Sequence, residues 1–477
     1  MRKYETVIGL EVHVELSTAS KIFCGCLAGF GDKPNTNCCP VCTGMPGALP
    51  VLNKRVVELA VSAGLALECD IIRNCNFDRK NYFYPDIPKA YQISQFYFPV
   101  ARNGRIMIDT RKGEKIIRIH ELHMEEDAGK LIHDSKKNRT FVDYNRAGVP
   151  LIEIVSEPDI RSSEEAVAYL EKLRRILIYL GVSDCRMQEG ALRVDINLSV
   201  REKGAAELGI RTEMKNMNSF KAIARAIEAE SRRQTEILEA GGIIERETRR
   251  WDDNRNESLR MRLKEDIQDY RYFPEPDMAP LELSEEWIDG LRSLLPELQE
   301  QKIIRYQKEY GLSEYDSRVI TSSKAMADLF EETAKLCKLP KEAANWLMTE
   351  GMRMLRDEEI GLEEAGFSPD RLSRLILMVE QGVINRTIAK KVFEAMFLKG
   401  ADPQEYVKQH GLGMVSDKGK LRSAAVKVMN ENEKSVSDYR AGKTKALGYL
   451  VGLTMKEMKG KADPALINAI LTELLKQ

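Results

Sequence analysis

The chain has 477 residues, 43% hydrophobic and 31% charged, with a formal net charge of −1. These values fit a soluble globular protein of about three domains and exclude wholesale disorder, a fibre, or a surface coated with positive charge, while leaving room for a local nucleic-acid patch. No apolar run approaches the roughly 20 residues of a membrane-spanning helix, and the opening Met1-Arg2-Lys3-Tyr4-Glu5 has neither an export core nor an acid-poor transit pattern, so a cytoplasmic protein is expected.

In chain order, Thr6–Leu16 alternates, with Leu10, Val12, Val14 and Leu16 on one face and Glu11, His13 and Glu15 on the other, which predicts a strand with one buried face. Five of the nine cysteines follow in a cluster, at Cys24, Cys26, Cys38, Cys39 and Cys42. Cys24-x-Cys26 and Cys39-x-x-Cys42 offer two close pairs of thiolates among Pro34, Pro40, Gly44 and Pro46, as a tetrahedral structural zinc requires. Four sulfurs would close that site to substrate, so the metal would hold a loop. Cys38 could replace Cys39 or stand beside it, and reduced thiols without metal are the plainer alternative. Asp78 to Gln92 combines four aromatics with Arg79, Lys80 and Lys89, suited either to stacking bases and holding phosphates or to a Pro-braced loop packed on the body. From Ile116 a second alternating stretch runs into Glu125-Glu126-Asp127; if the strand persists, His123 and Glu125 share a face and Glu126 points the other way. Pro150–Val155 is an apolar strand interrupted by Glu153, whose buried carboxylate needs a cation or a hydrogen-bond partner.

Ser162-Ser163-Glu164-Glu165 reads as a capping box opening a helix with Leu170, Leu173 and Leu177 at helical spacing. Leu192–Val200 alternates again, with Arg193, Asp195 and Asn197 on its polar face. Acids on polar strand faces with one imidazole suit magnesium or manganese, although each acid taken singly is an ordinary solvated residue and spacing does not bring them together. Strands outnumber helices in this half without regular βαβ repetition, so the fold class is α+β, with a mixed, largely antiparallel first domain over residues 1–284. After Pro274, Pro276 and Pro280, Ser284-Glu285-Glu286 starts a helical stretch. Gly400-Ala401-Asp402-Pro403 divides it into an all-α domain, 285–402, and a small all-α tail, 403–477. The tail holds thirteen basic and eight acidic residues, +5 in a chain that sums to −1, which attracts phosphate backbones at low salt; a solvated helical face accounts for the charge equally well. Gly442-Lys443-Thr444 is not a phosphate-binding loop, because Ser437 stands where the earlier glycine is required.

Five longer stretches carry a resemblance: Glu5 to His13, Lys80 to Gln95, His123 to Lys130, Asp143 to Leu151, and Asp269 to Asp277. Through them, and nearly end to end, the sequence resembles the B-subunit family of tRNA-dependent glutamyl/aspartyl-tRNA amidotransferases. The resemblance implies a cradle-shaped kinase and transamidase domain, a helical domain, and a tail that helps bind tRNA. It implies that ATP converts the side-chain carboxylate of misacylated Glu-tRNA(Gln) or Asp-tRNA(Asn) to an acyl phosphate, and that ammonia then displaces phosphate to give the amide. Carried over by motif, Glu11, His13, Glu125, Glu126 and Glu153 are the expected catalytic residues and magnesium ligands, with Asp195 a further ligand. Lys80, Lys89 or Arg193 would meet the phosphates, and Cys24, Cys26, Cys39 and Cys42 match the zinc-bearing version of the family. The expected cofactors are therefore ATP, Mg2+ and a structural Zn2+. The implied partners are a glutaminase (A) subunit that supplies ammonia through a channel, a small C subunit and the misacylated tRNA, with neither DNA nor membrane. Val194, Ile210 and Leu263 depart from the family's usual Cys, Thr and Ser. The competing expectations are a zinc-containing tRNA-binding subunit without catalysis and a zinc hydrolase, the latter disfavoured by the closed four-sulfur site.

Overall fold

The computed structural model describes residues 3–134, 136–263, 270–362, 365, 368–414, 417–458 and 460–476; Asp269 of the fifth stretch, Lys459 of the basic tail and the side chain of Leu263 lie outside what is described. The chain packs as two units, Met1–Leu298 and Gln299–Gln477, and its class is α+β, with the strands in the first unit and helices in the second.

The alternating N-terminal segment forms β1 (Tyr4–Glu15). After the cysteine loop come α1 (Lys54–Ala66), the short strands β2 (Asp70–Ile71), β3 (Asn74–Cys75), β4 (Asp78–Asn81) and β5 (Tyr91–Ser94), and the long hairpin of β6 (Ala101–Thr110) and β7 (Gly113–Glu126). A second hairpin, β8 (Lys130–Asp134) and β9 (Arg139–Asp143), leads into β10 (Pro150–Ser156) and α2 (Ser163–Tyr179). Then follow β11 (Leu192–Glu202), β12 (Thr212–Lys215), α3 (Phe220–Glu239), β13 (Glu247–Asp252) and β14 (Glu257–Leu263).

Nine of these strands pair in the order β14-β13-β12-β11-β1-β10-β7-β6-β2, antiparallel except for β12 with β13. The first strand of the sequence is thus the central one of the sheet. Leu10, Val12 and Val14 of β1, Ile152 and Ile154 of β10, Leu122 and Met124 of β7, and Val194 and Ile196 of β11 share its apolar side. They are buried in one core with Val57, Leu170, Leu173, Ile223 and Ile227 from the three helices. Each such side chain stabilises by about 1.5–3 kcal/mol, and a one-residue slip of β1 would turn three of them to solvent, so the register is strongly specified.

The helix starts follow from their serines. Ser162 and Ser219 accept from the backbone N–H groups of Glu165 (3.2 Å) and Ala222 (3.1 Å), capping α2 and α3. Ser284 does the same for Trp287 (3.2 Å) at α4 (Glu285–Ser293). Ile288 of α4 packs into the first unit's core, so this helix, just past the Pro-rich stretch, belongs to that unit.

Among its described residues the second unit has two cores. One surrounds Phe330, Trp346 and Phe393, the last two rings stacked 5.6 Å apart, and the other holds Leu421, Val428, Leu450, Ile467 and Leu471. Gly400 ends a helix at φ +59°, a left-handed conformation natural to glycine, and Asp402 caps the next through Gln404 and Glu405. That next helix still packs Val407 on the first core, and the change of core comes later, between Met414 and Leu421. Among the described residues, no helix is long and apolar enough to cross a membrane.

Candidate active site and cysteine cluster

The face of the central strands opposite the core carries their polar residues in one phase. Register sets these side by side: Glu11 lies opposite Asp195, His13 between Arg193 and Glu153, Glu153 opposite His123, and Asn197 opposite Glu213. Cross-strand neighbours lie about 4.5–5.5 Å apart at Cβ, so five strands assemble a single polar floor.

Among the described residues, two groups of candidate ligand atoms result on this face. His13, Glu125 and Glu153 each bring an atom within 4.8 Å of the other two, and so do Glu11, Asp195 and Glu213. In the first group Glu153 lies 3.4 Å from His13 Nε2 and 2.9 Å from His123 Nε2, with Glu125 3.6 Å from His13. Burial favours a neutral His13, but the carboxylates of Glu153 and Glu125 outweigh it and hold the imidazole pKa up at about 9. Burial likewise works against ionised Glu153, yet the two imidazoles keep it well below the usual carboxylate range.

The second group is more strongly acidic. Burial, then the charges of Glu153 and Glu213, push Glu11 up, while the Asn197 amide donates to it at 2.7 Å. Lys215 pairs with Asp195 and lies 3.5 Å from Glu213, which also accepts from the Thr248 hydroxyl at 2.8 Å. Among the described residues Asn197 Oδ1, on the amide that donates to Glu11, is buried with no hydrogen-bond partner. Three converging carboxylates fit a hard divalent cation, and two carboxylates with one imidazole fit magnesium or manganese. A cavity of about 210 Å³ opens beside Glu11, lined in part by Val7, Gly9, Val155, Leu208 and Arg211.

Lys80 reaches toward this floor from β4. Its ammonium lies 5.0 Å from the Tyr270 ring centre and 5.8 Å from that of Tyr82, and Tyr272 stacks on Phe96 beyond. Burial works against its charge, but Tyr272 and the carboxylates of Glu125 and Glu153 hold it protonated.

The remaining expected residues stand in pairs. The strand persists to Glu126, which follows the phase of Met124, accepts from the Ile93 backbone N–H at 2.8 Å and pairs with Lys89. Glu126 therefore does not join the two ligand groups, and Lys89 is already engaged. Arg193 donates to Asp127 at 2.7 Å, and burial together with Asp127 pushes nearby Glu15 up to about 7. The Asp78–Gln92 segment is braced rather than free: Arg79 grips Glu275 through two bonds of 2.7 and 2.8 Å, and Gln92 donates to the Glu126 carbonyl at 2.7 Å. Phe83, 82% exposed, is left at its tip.

Cys24, Cys26, Cys39 and Cys42 converge with all four sulfurs within 4.8 Å of one another. Zinc–sulfur bonds of about 2.3 Å place the sulfurs of a tetrahedron about 3.8 Å apart; those of Cys39 and Cys42 are 3.9 Å apart. The Cys24 thiol hydrogen-bonds to Cys42, and with the Cys39 backbone N–H, 3.2 Å away, this draws the Cys42 pKa down to about 4 against its burial. Cys38 points elsewhere, toward Asn145 at 3.9 Å. The four sulfurs present fit zinc.

Sequence reasoning gave no role to Glu213, His123, Asn197 or Lys215. His123 and Asn197 share their strands' polar phase with Glu125 and Asp195, so period two alone could have found them. Glu213 and Lys215 sit on a four-residue strand, too short for alternation to stand out.

Comparison with known proteins places these features in a family. Residues 6–289 match the family described as the GatB/GatE catalytic domain, and residues 328–475 match the one described as the GatB domain. The chain is 62% identical over 475 residues to the aspartyl/glutamyl-tRNA(Asn/Gln) amidotransferase B subunit of Lachnoclostridium phytofermentans, covering 100% of this chain and 99% of that protein. It is 57% identical over 475 residues to the protein of the same name from Agathobacter rectalis, and 56% over 478 residues to that from Caldicellulosiruptor bescii, each covering 100% of both chains.

Proposed function

The chain belongs to the family of aspartyl/glutamyl-tRNA(Asn/Gln) amidotransferase B subunits, and from that premise we propose that its polar sheet face activates the side-chain carboxylate of Glu-tRNA(Gln) or Asp-tRNA(Asn) with ATP for amidation. A carboxylate is a poor electrophile. Conversion to an acyl phosphate supplies a leaving group, which ammonia displaces to form the amide. The observation that carries this reading is the pair of three-ligand groups adjoining on one face, with Glu11 and His13 two residues apart on β1.

Magnesium held by His13, Glu125 and Glu153 or by Glu11, Asp195 and Glu213 would supply charge neutralisation for the phosphoryl transfer. The chain's own residues do the rest. Glu153 joins two imidazoles and fixes the direction of His13, while Asn197 and Thr248 orient Glu11 and Glu213. Lys80, kept charged among tyrosines, meets phosphate or the substrate carboxylate. Lys89 and Arg193 serve the same end by exchanging Glu126 and Asp127 for phosphate oxygens. The cavity beside Glu11 receives the base and ribose, with Arg211 in its lining. The cysteine cluster holds a structural zinc. Ammonia comes from a glutaminase A subunit, a small C subunit completes a cytoplasmic heterotrimer, and the basic tail contacts tRNA.

The test is Glu153→Gln in the assembled complex. Release of γ-phosphate from ATP in response to Glu-tRNA(Gln) should fall by roughly 10²-fold or more, as when an electrostatic catalytic group is lost, while tRNA binding persists. Cleavage that survives the substitution would leave the other reading, a zinc-containing tRNA-binding subunit without catalysis.

A further inference from the structure

Lys21 is fully buried, at 0% exposure, in the loop between the end of β1 at Glu15 and the cysteine cluster. Its ammonium donates to the carbonyls of Asn37 (2.8 Å) and Tyr144 (3.2 Å) and to Cys42 Sγ (3.6 Å). Among the described residues it makes no ion pair with a carboxylate. An ammonium removed from water costs several kcal/mol unless an anion compensates it, and two carbonyl dipoles alone do not carry a full negative charge. Among the described residues, the group of potential anions that its hydrogen bonds reach is the four-sulfur cluster, through Cys42. Four neutral thiols would leave the ammonium uncompensated, and a thiolate at Cys42, the sulfur it touches, begins to answer it. Four thiolates around a divalent ion carry a net charge of −2, which one lysine reduces to −1.

We propose that Lys21 is the counter-charge of the metal-bound thiolate cluster and couples it to the edge of the polar sheet face. This rests on zinc occupying the four sulfurs, as proposed above. The coupling runs through the turn that follows β9. Lys21 holds Tyr144, and Asn145 clasps the cysteine loop from the other side, accepting from the Asn37 N–H at 2.8 Å and donating to the Lys33 carbonyl at 2.7 Å. Arg146, next in the turn, donates to the carbonyls of Ala128 (3.0 Å) and Gly129 (2.8 Å) and lies 3.5 Å from Asp127, the partner of Arg193. Gly148 closes the turn against Cys42 at φ +83°, where a Cβ would meet that cysteine at 3.4 Å. Lys21 is therefore a positioning residue: it touches no substrate, and it acts through the metal cluster and the turn.

The experiment compares wild type, Lys21→Met and Lys21→Arg in the assembled complex, reading zinc content and the rate at which N-ethylmaleimide ejects zinc to a chromogenic chelator. Without the ammonium the thiolates are more basic and more nucleophilic. Lys21→Met should therefore lose zinc roughly tenfold faster or more, as when other outer partners of a metal site are removed, and Lys21→Arg should recover most of the difference. A zinc-loaded Lys21→Met that ejects its metal at the wild-type rate overturns the counter-charge role and leaves the zinc reading intact. Wild type purified with no zinc overturns both. If Lys21→Met does not fold, wild type alone decides: acetylation of Lys21, followed by mass spectrometry, should be blocked in the zinc-loaded protein and become rapid after chelation. Labelling that ignores zinc removal overturns the proposal.

Discussion

Glu213 illustrates what a single carboxylate does on this face. With Glu11 and Asp195 it forms the more acidic of the two ligand groups, whose mutual repulsion Lys215 offsets in part, with the Asn197 amide donating to Glu11 and the Thr248 hydroxyl to Glu213. Glu213→Gln should therefore raise the melting temperature of the metal-free protein by a few degrees, since relieving like-charge repulsion is stabilising. Added magnesium should stabilise wild type more than the variant, because a ligand for the native state acts through its affinity. Thermal melts with and without magnesium check both signs, and a variant less stable than wild type in the absence of metal would contradict the repulsion argument. Gly9 tests the neighbouring cavity. A Cβ there would meet the Ser156 carbonyl at 3.7 Å, an ordinary contact, so Gly9→Val should fold and project into the space beside Glu11. Nucleotide affinity should fall about tenfold, equivalent to about 1.4 kcal/mol, in a fluorescent-nucleotide titration; undiminished affinity would put the base elsewhere.

At the scale of elements, α3 anchors the β12–β14 edge through a buried polar network. Glu230 is fully buried and accepts from Arg233 (2.9 and 2.7 Å), Gln234 (2.9 Å) and the Ser258 hydroxyl (3.0 Å). Gln234 also reaches Thr212 at 3.1 Å, on the strand that presents Glu213. Burial works against an ionised Glu230, yet the bonds from Arg233 and Gln234 and the charge of Arg249 keep its pKa below the ordinary carboxylate value. A depressed pKa contributes stability above the unfolded-state value near about 4.3, and that stability is lost as pH falls through the lower folded value. Glu230→Gln should therefore cost roughly 3 kcal/mol at pH 7, as breaking a buried pair does, and progressively less below about pH 4. Denaturant midpoints at the two pH values check the closing gap. A penalty that is constant across pH would mean that shape rather than charge holds the network.

At the scale of the molecule, the helical second unit keeps a separate core for its last segment, Leu421 to Leu475. Three of the tail's cations are already paired within it, Arg422 with Glu473, Lys427 with Glu457 and Lys443 with Asp438, all below 3.0 Å. Its excess charge rests on the others. Deleting residues 417–477 from the complex should weaken tRNA binding and flatten the slope of log affinity against log salt, because fewer counterions are released. Zinc content should be unchanged. A salt slope identical to that of the full chain would remove the tail from the tRNA contact.

Much of this was legible in the sequence, because local physics writes it there. The alternation of Thr6–Leu16 and Leu192–Val200 determined both strands and which of their residues are polar-facing, and Ser162 and Ser284 marked helix starts by their capping chemistry. The close spacing of Cys24, Cys26, Cys39 and Cys42 brought them together as a candidate cluster, since short loops leave few ways for them to stay apart. The phase of β7 put Glu126 off the face that carries Glu125 on condition that the strand persisted, although the family resemblance had set it among the expected magnesium ligands. What only the tertiary structure decided is what depends on which strands become neighbours. That β1 sits between β10 and β11, with β12 next, is what sets Glu11 beside Asp195 and Glu213, and His13 beside Glu153. It also gives Lys89, Arg193 and the buried Lys21 the partners they have. Period and spacing act over a few residues, whereas strand order is set by burying one apolar face against helices from distant parts of the chain, and no local pattern records that choice.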